Sequence, residues 1–138
     1  MKPAPLILVV GMHRSGTSLL GSILDALGVA LPGPLIPADK HNPAGYFERS
    51  DITALQEELL IDLQRWWPSE SGTLPLPQGW LSTARTQRAA ACLKRLLQQD
   101  QRQQKTPWAI KDPRSSLLLP LWRQVAAELD LPLRLLLA

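Results

Sequence analysis

The sequence feature that most constrains the fold is a short apolar run followed by a glycine-containing loop and a helical pattern. The run Leu6–Val10 is rich in branched residues and is followed by Gly11, which is typical of a strand buried on both faces of a parallel sheet. After Gly16, large apolar residues recur at helical spacing as far as Gly28, and glycine commonly ends a helix. The chain therefore begins with a strand, a loop and a helix.

Two further helices are predicted in the middle of the chain. Ser50 or Asp51 is the expected N-cap of the first, whose apolar face contains Ile52, Leu55, Leu59 and Leu63. The second is expected to begin after a Ser82 cap and to run to about Gln103, with fraying of its polar end at 98–104. Its basic residues are interpreted as a solvated face.

The last third of the chain returns to strand and helix patterns. Trp108–Ile110 and Leu133–Leu137 are predicted strands, and Pro120 suits the first turn of a helix between them. Alternation of strands and helices indicates an α/β domain with a parallel sheet flanked by helices and right-handed crossovers. The segments 29–48 and 68–79 are predicted to be long loops, and loops of that length are usually functional or mobile.

Composition limits the classes of function. A chain of 138 residues with 45% hydrophobic and 20% charged residues is the size and composition of a single globular domain. The only cysteine, Cys92, cannot form an internal disulfide, and no apolar run approaches the roughly 20 residues that a membrane span needs. We therefore expect a cytoplasmic protein without a membrane segment. A net charge of +3 suits a small anionic ligand and is too weak to indicate nucleic-acid binding, and the oligomeric state stays open.

The loop after the first strand has the spacing of a phosphate-binding loop. Gly11–Ser18 reads Gly-x4-Gly followed by two hydroxyl residues, between a predicted strand and a predicted helix. Such loops bind phosphate through backbone N–H groups, the helix N-terminus and hydroxyls. The predicted cofactor contacts are Arg14, Ser15, Gly16, Thr17 and Ser18. Loops that bind ATP or GTP have lysine directly after the second glycine, where this chain has Thr17, and the cation is Arg14 instead.

Three segments together resemble the sulfotransferases that use 3′-phosphoadenosine 5′-phosphosulfate (PAPS). GMHRSGTSLL is similar to their 5′-phosphosulfate loop, in the arginine-bearing version of the tyrosylprotein and carbohydrate branches. Asn42–Ile52 is similar to an Asn-Pro-x-Gly-aromatic-x-Glu segment of bacterial members, and Ala109–Trp122 to a segment with a Lys-Asp-Pro motif after a strand. The three segments occur in the family's order and cover roughly half of the chain.

The resemblance implies transfer of a sulfuryl group from PAPS to a hydroxyl of a sugar or a peptide tyrosine, with PAP (3′-phosphoadenosine 5′-phosphate) as product. By analogy with phosphoryl transfer, such a reaction needs positioned cations and a base, and no metal is expected. Arg14 and Lys111 are the predicted cations, and Lys111 follows a predicted strand at the sheet edge where α/β proteins bind ligands. Glu48, in the long loop, is the predicted base.

Four other kinds of residue are interpreted more simply. Asp112 is expected to cap the turn or to orient Lys111, and Arg114 either pairs with Asp112 or reaches a phosphate. A lone loop histidine such as His13 is usually a polar surface residue. The five tryptophans are more often core or interface residues than a base-stacking platform.

The resemblance also indicates what lies outside this chain. In the family, the 3′-phosphate is held just beyond the next strand, which here is Leu133–Leu137, and the sequence ends at Ala138. We therefore expect residues 1–138 to be the N-terminal part of a single three-layer domain of the P-loop type. A P-loop nucleotide kinase or NTPase, with Asp112 as its only candidate Mg²⁺ ligand, and a truncated non-catalytic nucleotide-binding module stay open as alternatives.

Overall fold

The computed structural model describes residues 2–138, which form an α/β fold with a parallel sheet of three strands and four α-helices. The strand order is β2-β1-β3, so the first strand is central. The elements are β1 (Leu6–Val10), α1 (Thr17–Ala26), α2 (Ser50–Asp62), α3 (Ala84–Gln103), β2 (Trp108–Lys111), α4 (Leu119–Glu128) and β3 (Leu133–Leu137).

Alternation along β1 divides the core between the two faces of the sheet. Leu6, Leu8 and Val10 pack with apolar residues of α2, α3 and α4 in the larger cluster. Val9 points the other way and packs with Leu24 of α1 in a smaller cluster. Side chains of a strand point alternately to opposite faces, so an apolar run without polar interruptions is what a strand covered on both faces requires.

The predicted strands are confirmed, and β2 extends one residue further to include Lys111. The predicted burial of β1 is confirmed as well, since four of its five residues are buried and the fifth is half-buried. The two edge strands differ, because β2 is buried throughout whereas Leu135 and Leu137 of β3 are 44% and 75% exposed. Pro120 lies in the first turn of α4, as predicted.

Two of the predicted helix caps are wrong, whereas the predicted end of α3 at Gln103 is confirmed. Ser50 is already helical, so the N-cap of α2 is Arg49. The Arg49 side chain makes no capping hydrogen bond. Thr83, not Ser82, caps α3 by accepting a hydrogen bond from the backbone N–H of Thr86. α3 continues to Gln103 because Asp100 is buried against the Arg49 guanidinium, which holds the polar end in place.

The segment between α1 and α2 has no regular element, as predicted, and its end packs against α1. Phe47 lies directly over Gly21, where an added Cβ would come within 2.8 Å of the Phe47 Cβ atom. This close approach requires glycine on that face of α1, and it places Glu48 beside the sheet. No helix among residues 2–138 has the length and apolar character to span a membrane.

Candidate functional site

The glycine loop lies at the carboxyl end of the central strand and is fastened to the turn after β2. The Gly11 N–H donates to Ser116 Oγ at 2.8 Å, and the Ser116 hydroxyl donates to the Gly11 carbonyl at 2.9 Å. Arg14 and Gly16 both adopt left-handed backbone conformations, with φ of 65° and 95°. These two conformations reverse the direction of the chain, so that it leads from the end of β1 into the first turn of α1.

The N-terminus of α1 presents backbone donors that the protein does not use. No side chain caps this helix. Within residues 2–138, the N–H groups of Arg14, Gly16, Thr17 and Ser18 have no hydrogen-bond acceptor. A helix N-terminus has a partial positive charge, and unpaired N–H groups of this kind bind anions.

Lys111 extends from β2 towards this helix. It pairs in register with Val9, and strand alternation directs it, like Ala109, to the α1 face of the sheet. The Lys111 ammonium is buried, and it donates to Glu48 Oε1 at 2.8 Å, to the Tyr46 carbonyl at 3.0 Å and to Ser18 Oγ at 3.1 Å. A lysine at the end of a short strand is commonly a surface residue, but Lys111 is buried.

Glu48 is the buried ionisable partner of Lys111. Burial raises the pKa of the Glu48 carboxyl above its ordinary value, and the hydrogen bond from Lys111 only partly opposes that effect. The second carboxylate oxygen, Oε2, lies 3.7 Å from Arg114 Nη1. A carboxyl whose pKa is raised towards neutrality by burial is a more effective general base.

Asp112 points to the opposite face of the sheet from Lys111 and supports the turn. Its Oδ1 atom accepts from both the backbone N–H and the Nη1 group of Arg114, each at 3.0 Å. Its Oδ2 atom accepts from Gln56 Nε2 of α2 at 2.8 Å, and Gln56 in turn accepts from Trp122 of α4. The predicted cap and the predicted pairing of Arg114 with Asp112 are both confirmed.

His13 is not the free surface residue that its isolation in the sequence predicted. Its ring stacks on Trp67, with the centroids 3.6 Å apart and the planes 11° from parallel. Desolvation, together with the nearby charge of Arg114, lowers the pKa of His13 to about 4, so the ring is neutral at neutral pH. Trp108 and Trp122 are core residues, as predicted, whereas Trp66 and Trp67 are 45% and 38% exposed.

One open cavity of about 470 Å³ is lined by the glycine loop, the N-terminus of α1 and the side chains of Glu48, Trp67, Lys111 and Arg114. Six of the seven predicted site residues belong to its lining: Arg14, Gly16, Thr17, Ser18, Glu48 and Lys111. Ser15 does not line it, because its hydroxyl donates to the Met12 carbonyl. Arg14 is exposed at the cavity and forms no ion pair or hydrogen bond through its side chain within the described chain.

Several lining residues were not predicted to be site residues: His41, Asn42, Tyr46, Trp67 and Pro113. The first three belong to the segment around the Asn-Pro-x-Gly motif, which was the available signal. Tyr46 donates to both oxygens of Asp39, which also accepts from the backbone of His41 and Asn42. Trp67 had no such signal, since only the fold brings the chain after α2 back over the glycine loop.

Comparison with known proteins gave no match, whether to a family model, a curated protein or a solved structure.

Proposed function

We propose that this chain is a PAPS-dependent sulfotransferase, or the N-terminal part of one, that transfers a sulfuryl group to a hydroxyl of a carbohydrate or a peptide tyrosine. The observation that supports this most strongly is the convergence of Arg14, Glu48 and Lys111. They come from three separate parts of the chain and line one cavity at the N-terminus of α1. The helices on both faces of the sheet agree with a three-layer, P-loop-type domain.

The proposed reaction assigns one task to each group. The unpaired N–H groups of Gly16, Thr17 and Ser18 bind the 5′-phosphate of the donor. Arg14 and Lys111 neutralise the charge that spreads over the sulfuryl and bridging oxygens in the transition state. The acceptor oxygen bonds to sulfur as the bond from sulfur to the phosphate oxygen breaks, and PAP leaves with that electron pair. Glu48 receives the proton of the acceptor hydroxyl.

The acceptor is expected at the part of the cavity that is lined by the segments after α1 and after α2. His41 and Asn42 from the first long loop and Trp67 near the start of the second line that cavity. Polar and aromatic groups suit the hydroxyls and the ring of a sugar or a tyrosine. We propose no nucleic-acid partner.

The arrangement disfavours the P-loop kinase or NTPase alternative. Its only candidate Mg²⁺ ligand, Asp112, uses both carboxylate oxygens on Arg114 and Gln56. Binding Mg²⁺ there would break the cap of the turn and the bond to α2. Thr17 also replaces the lysine that such loops place on the nucleotide phosphates.

Calorimetric titration tests the proposal. PAP, ADP and ATP with Mg²⁺ are titrated separately into the chain. Binding of PAP without metal, in preference to Mg·ATP, supports a sulfotransferase donor site. Preference for Mg·ATP would favour the kinase alternative. PAP binding without any transfer of labelled sulfuryl from PAPS to sugars or tyrosine peptides would favour the non-catalytic module.

A further inference from the structure

Lys111 has no donor left for a ligand. An ammonium group has three N–H donors, and in this structure they are directed to Glu48, the Tyr46 carbonyl and Ser18. A donor anion at the α1 N-terminus therefore contacts Lys111 only if one of these three bonds is exchanged.

Glu48 is the partner that an anion would displace. Two anions on one ammonium repel each other, whereas the Tyr46 carbonyl and the Ser18 hydroxyl are neutral. Glu48 also has a second cation at hand, because its Oε2 atom lies 3.7 Å from Arg114 Nη1. Arg114 itself is held by Asp112 and by Glu57 of α2, which fixes its position beside Glu48.

We propose that binding of the anionic donor transfers the Lys111 ammonium from Glu48 to the donor, and that this exchange converts Glu48 from an ion-pair partner into a stronger base. The inference rests on the proposed function and adds a sequence of events to it. The base becomes strong only when the donor is in place, and Arg114 keeps the freed carboxylate in position.

The charges around Glu48 give the direction of the effect. Burial already raises the pKa of Glu48, and the bond from Lys111 opposes that rise. Loss of the bond and arrival of an anion both raise the pKa further. Asp112 in the turn acts in the same direction, while Arg114 in that turn opposes it. Arg14, the neutral His13 and His41 line the same cavity as Glu48, and Glu57 lies behind Arg114. Donor binding is therefore expected to place a proton on Glu48 at pH values between its pKa in the free protein and its higher pKa in the donor-bound protein. Above both values Glu48 stays ionised and is available as the base.

Proton uptake on binding can be measured without knowing the acceptor. Adenosine 5′-phosphosulfate is the probe, because its phosphosulfate does not titrate near neutrality. The calorimetric titration is repeated between pH 5 and 7.5 in buffers of different ionisation enthalpy. The slope of the observed binding enthalpy against the buffer ionisation enthalpy gives the number of protons taken up. We expect an uptake of up to about one proton per ligand that falls at higher pH. Glu48→Gln should abolish it, and the matched control Glu70→Gln, at an exposed residue that does not line the cavity, should keep it.

The outcomes separate the two proposals. Binding without proton uptake, or with uptake that persists in Glu48→Gln, overturns the exchange and leaves the proposed function standing. Absence of binding to the wild-type chain overturns both. If Glu48→Gln does not fold, the carboxyl ¹³C shift of Glu48 in the wild-type chain is titrated with and without the probe. A pKa that does not rise on binding then contradicts the exchange.

Discussion

Among the individual residues of the site, Arg14 and Lys111 differ in their contribution to the stability of the unliganded protein. Arg14 is exposed and has no partner among residues 2–138, whereas Lys111 is 2% exposed and fully hydrogen-bonded. Changes at Arg14 should therefore affect binding and transfer but not the stability of the fold. Changes at Lys111 should affect both binding and the stability of the fold.

Arg14→Ala should weaken PAP binding by roughly 10- to 100-fold, because a hydrogen bond to a charged group is worth about 1.5–3 kcal/mol. Its melting temperature should stay near that of the wild type, since no intramolecular contact is lost. Calorimetry and thermal melting measure the two effects. Arg123→Ala is the matched control, because Arg123 is exposed on α4 and does not line the cavity. Equal weakening by both variants would exclude a specific role for Arg14.

Lys111→Met should destabilise the fold by about 3–5 kcal/mol at neutral pH, because it leaves the Glu48 carboxylate buried without its partner. Lys111→Met combined with Glu48→Gln should recover part of that loss, since no unpaired charge remains. Urea denaturation of the two single variants and the double variant completes a double-mutant cycle. Additive losses would show that the two side chains do not interact.

His13→Gln should change the pH dependence of stability. The pKa of His13 is about 4 in the folded chain and 6.5 in the unfolded chain. Between these two pH values the unfolded chain therefore binds more protons than the folded chain. The wild-type fold therefore loses stability at this residue as the pH falls from 6.5 towards 4. The destabilisation by His13→Gln should be largest above pH 6.5 and shrink at lower pH, as measured by urea denaturation across that range. A constant difference at all pH values would contradict the lowered pKa.

At the scale of elements, Arg49 joins three parts of the chain next to the site. Its buried guanidinium binds both oxygens of Asp51 at the start of α2 and also binds Asp100 near the end of α3. Gly33 of the long loop lies against the same guanidinium, where an added Cβ would come within 2.3 Å of Arg49 Nε. This contact fixes the residue directly after Glu48.

Asp100→Ala should cost about 1.5–3 kcal/mol and release the end of α3, because Arg49 keeps Asp51 but loses its partner on that helix. Amide hydrogen exchange at 98–103 should rise towards the frayed behaviour that the polar sequence predicted. Asp62→Ala is the control, since the Arg85–Asp62 pair is exposed and such pairs contribute about 0.2–1 kcal/mol. Unchanged exchange in Asp100→Ala would show that another contact holds the helix end.

At the scale of the whole molecule, sequence patterns predicted the elements better than the contacts between them. The strands and the course of α1 follow from local apolar spacing, which is a property of neighbouring residues. The pairing of Glu48 with Lys111 joins residues 63 positions apart, and that of Arg49 with Asp100 joins residues 51 apart. Such contacts depend on how loops pack, so local periodicity does not indicate them. For the same reason the stack of His13 on Trp67 was not predicted.

We propose that the glycine loop and Lys111 together bind the 5′-anion of the donor. This is tested by amide chemical-shift mapping of the ¹⁵N-labelled chain during titration with adenosine 5′-phosphosulfate. We predict that the largest shifts fall on the amides of Arg14, Gly16, Thr17 and Ser18 and on those around Lys111. Shifts confined to another surface, such as the groove between α2 and α3, or no shifts at all, would contradict the claim.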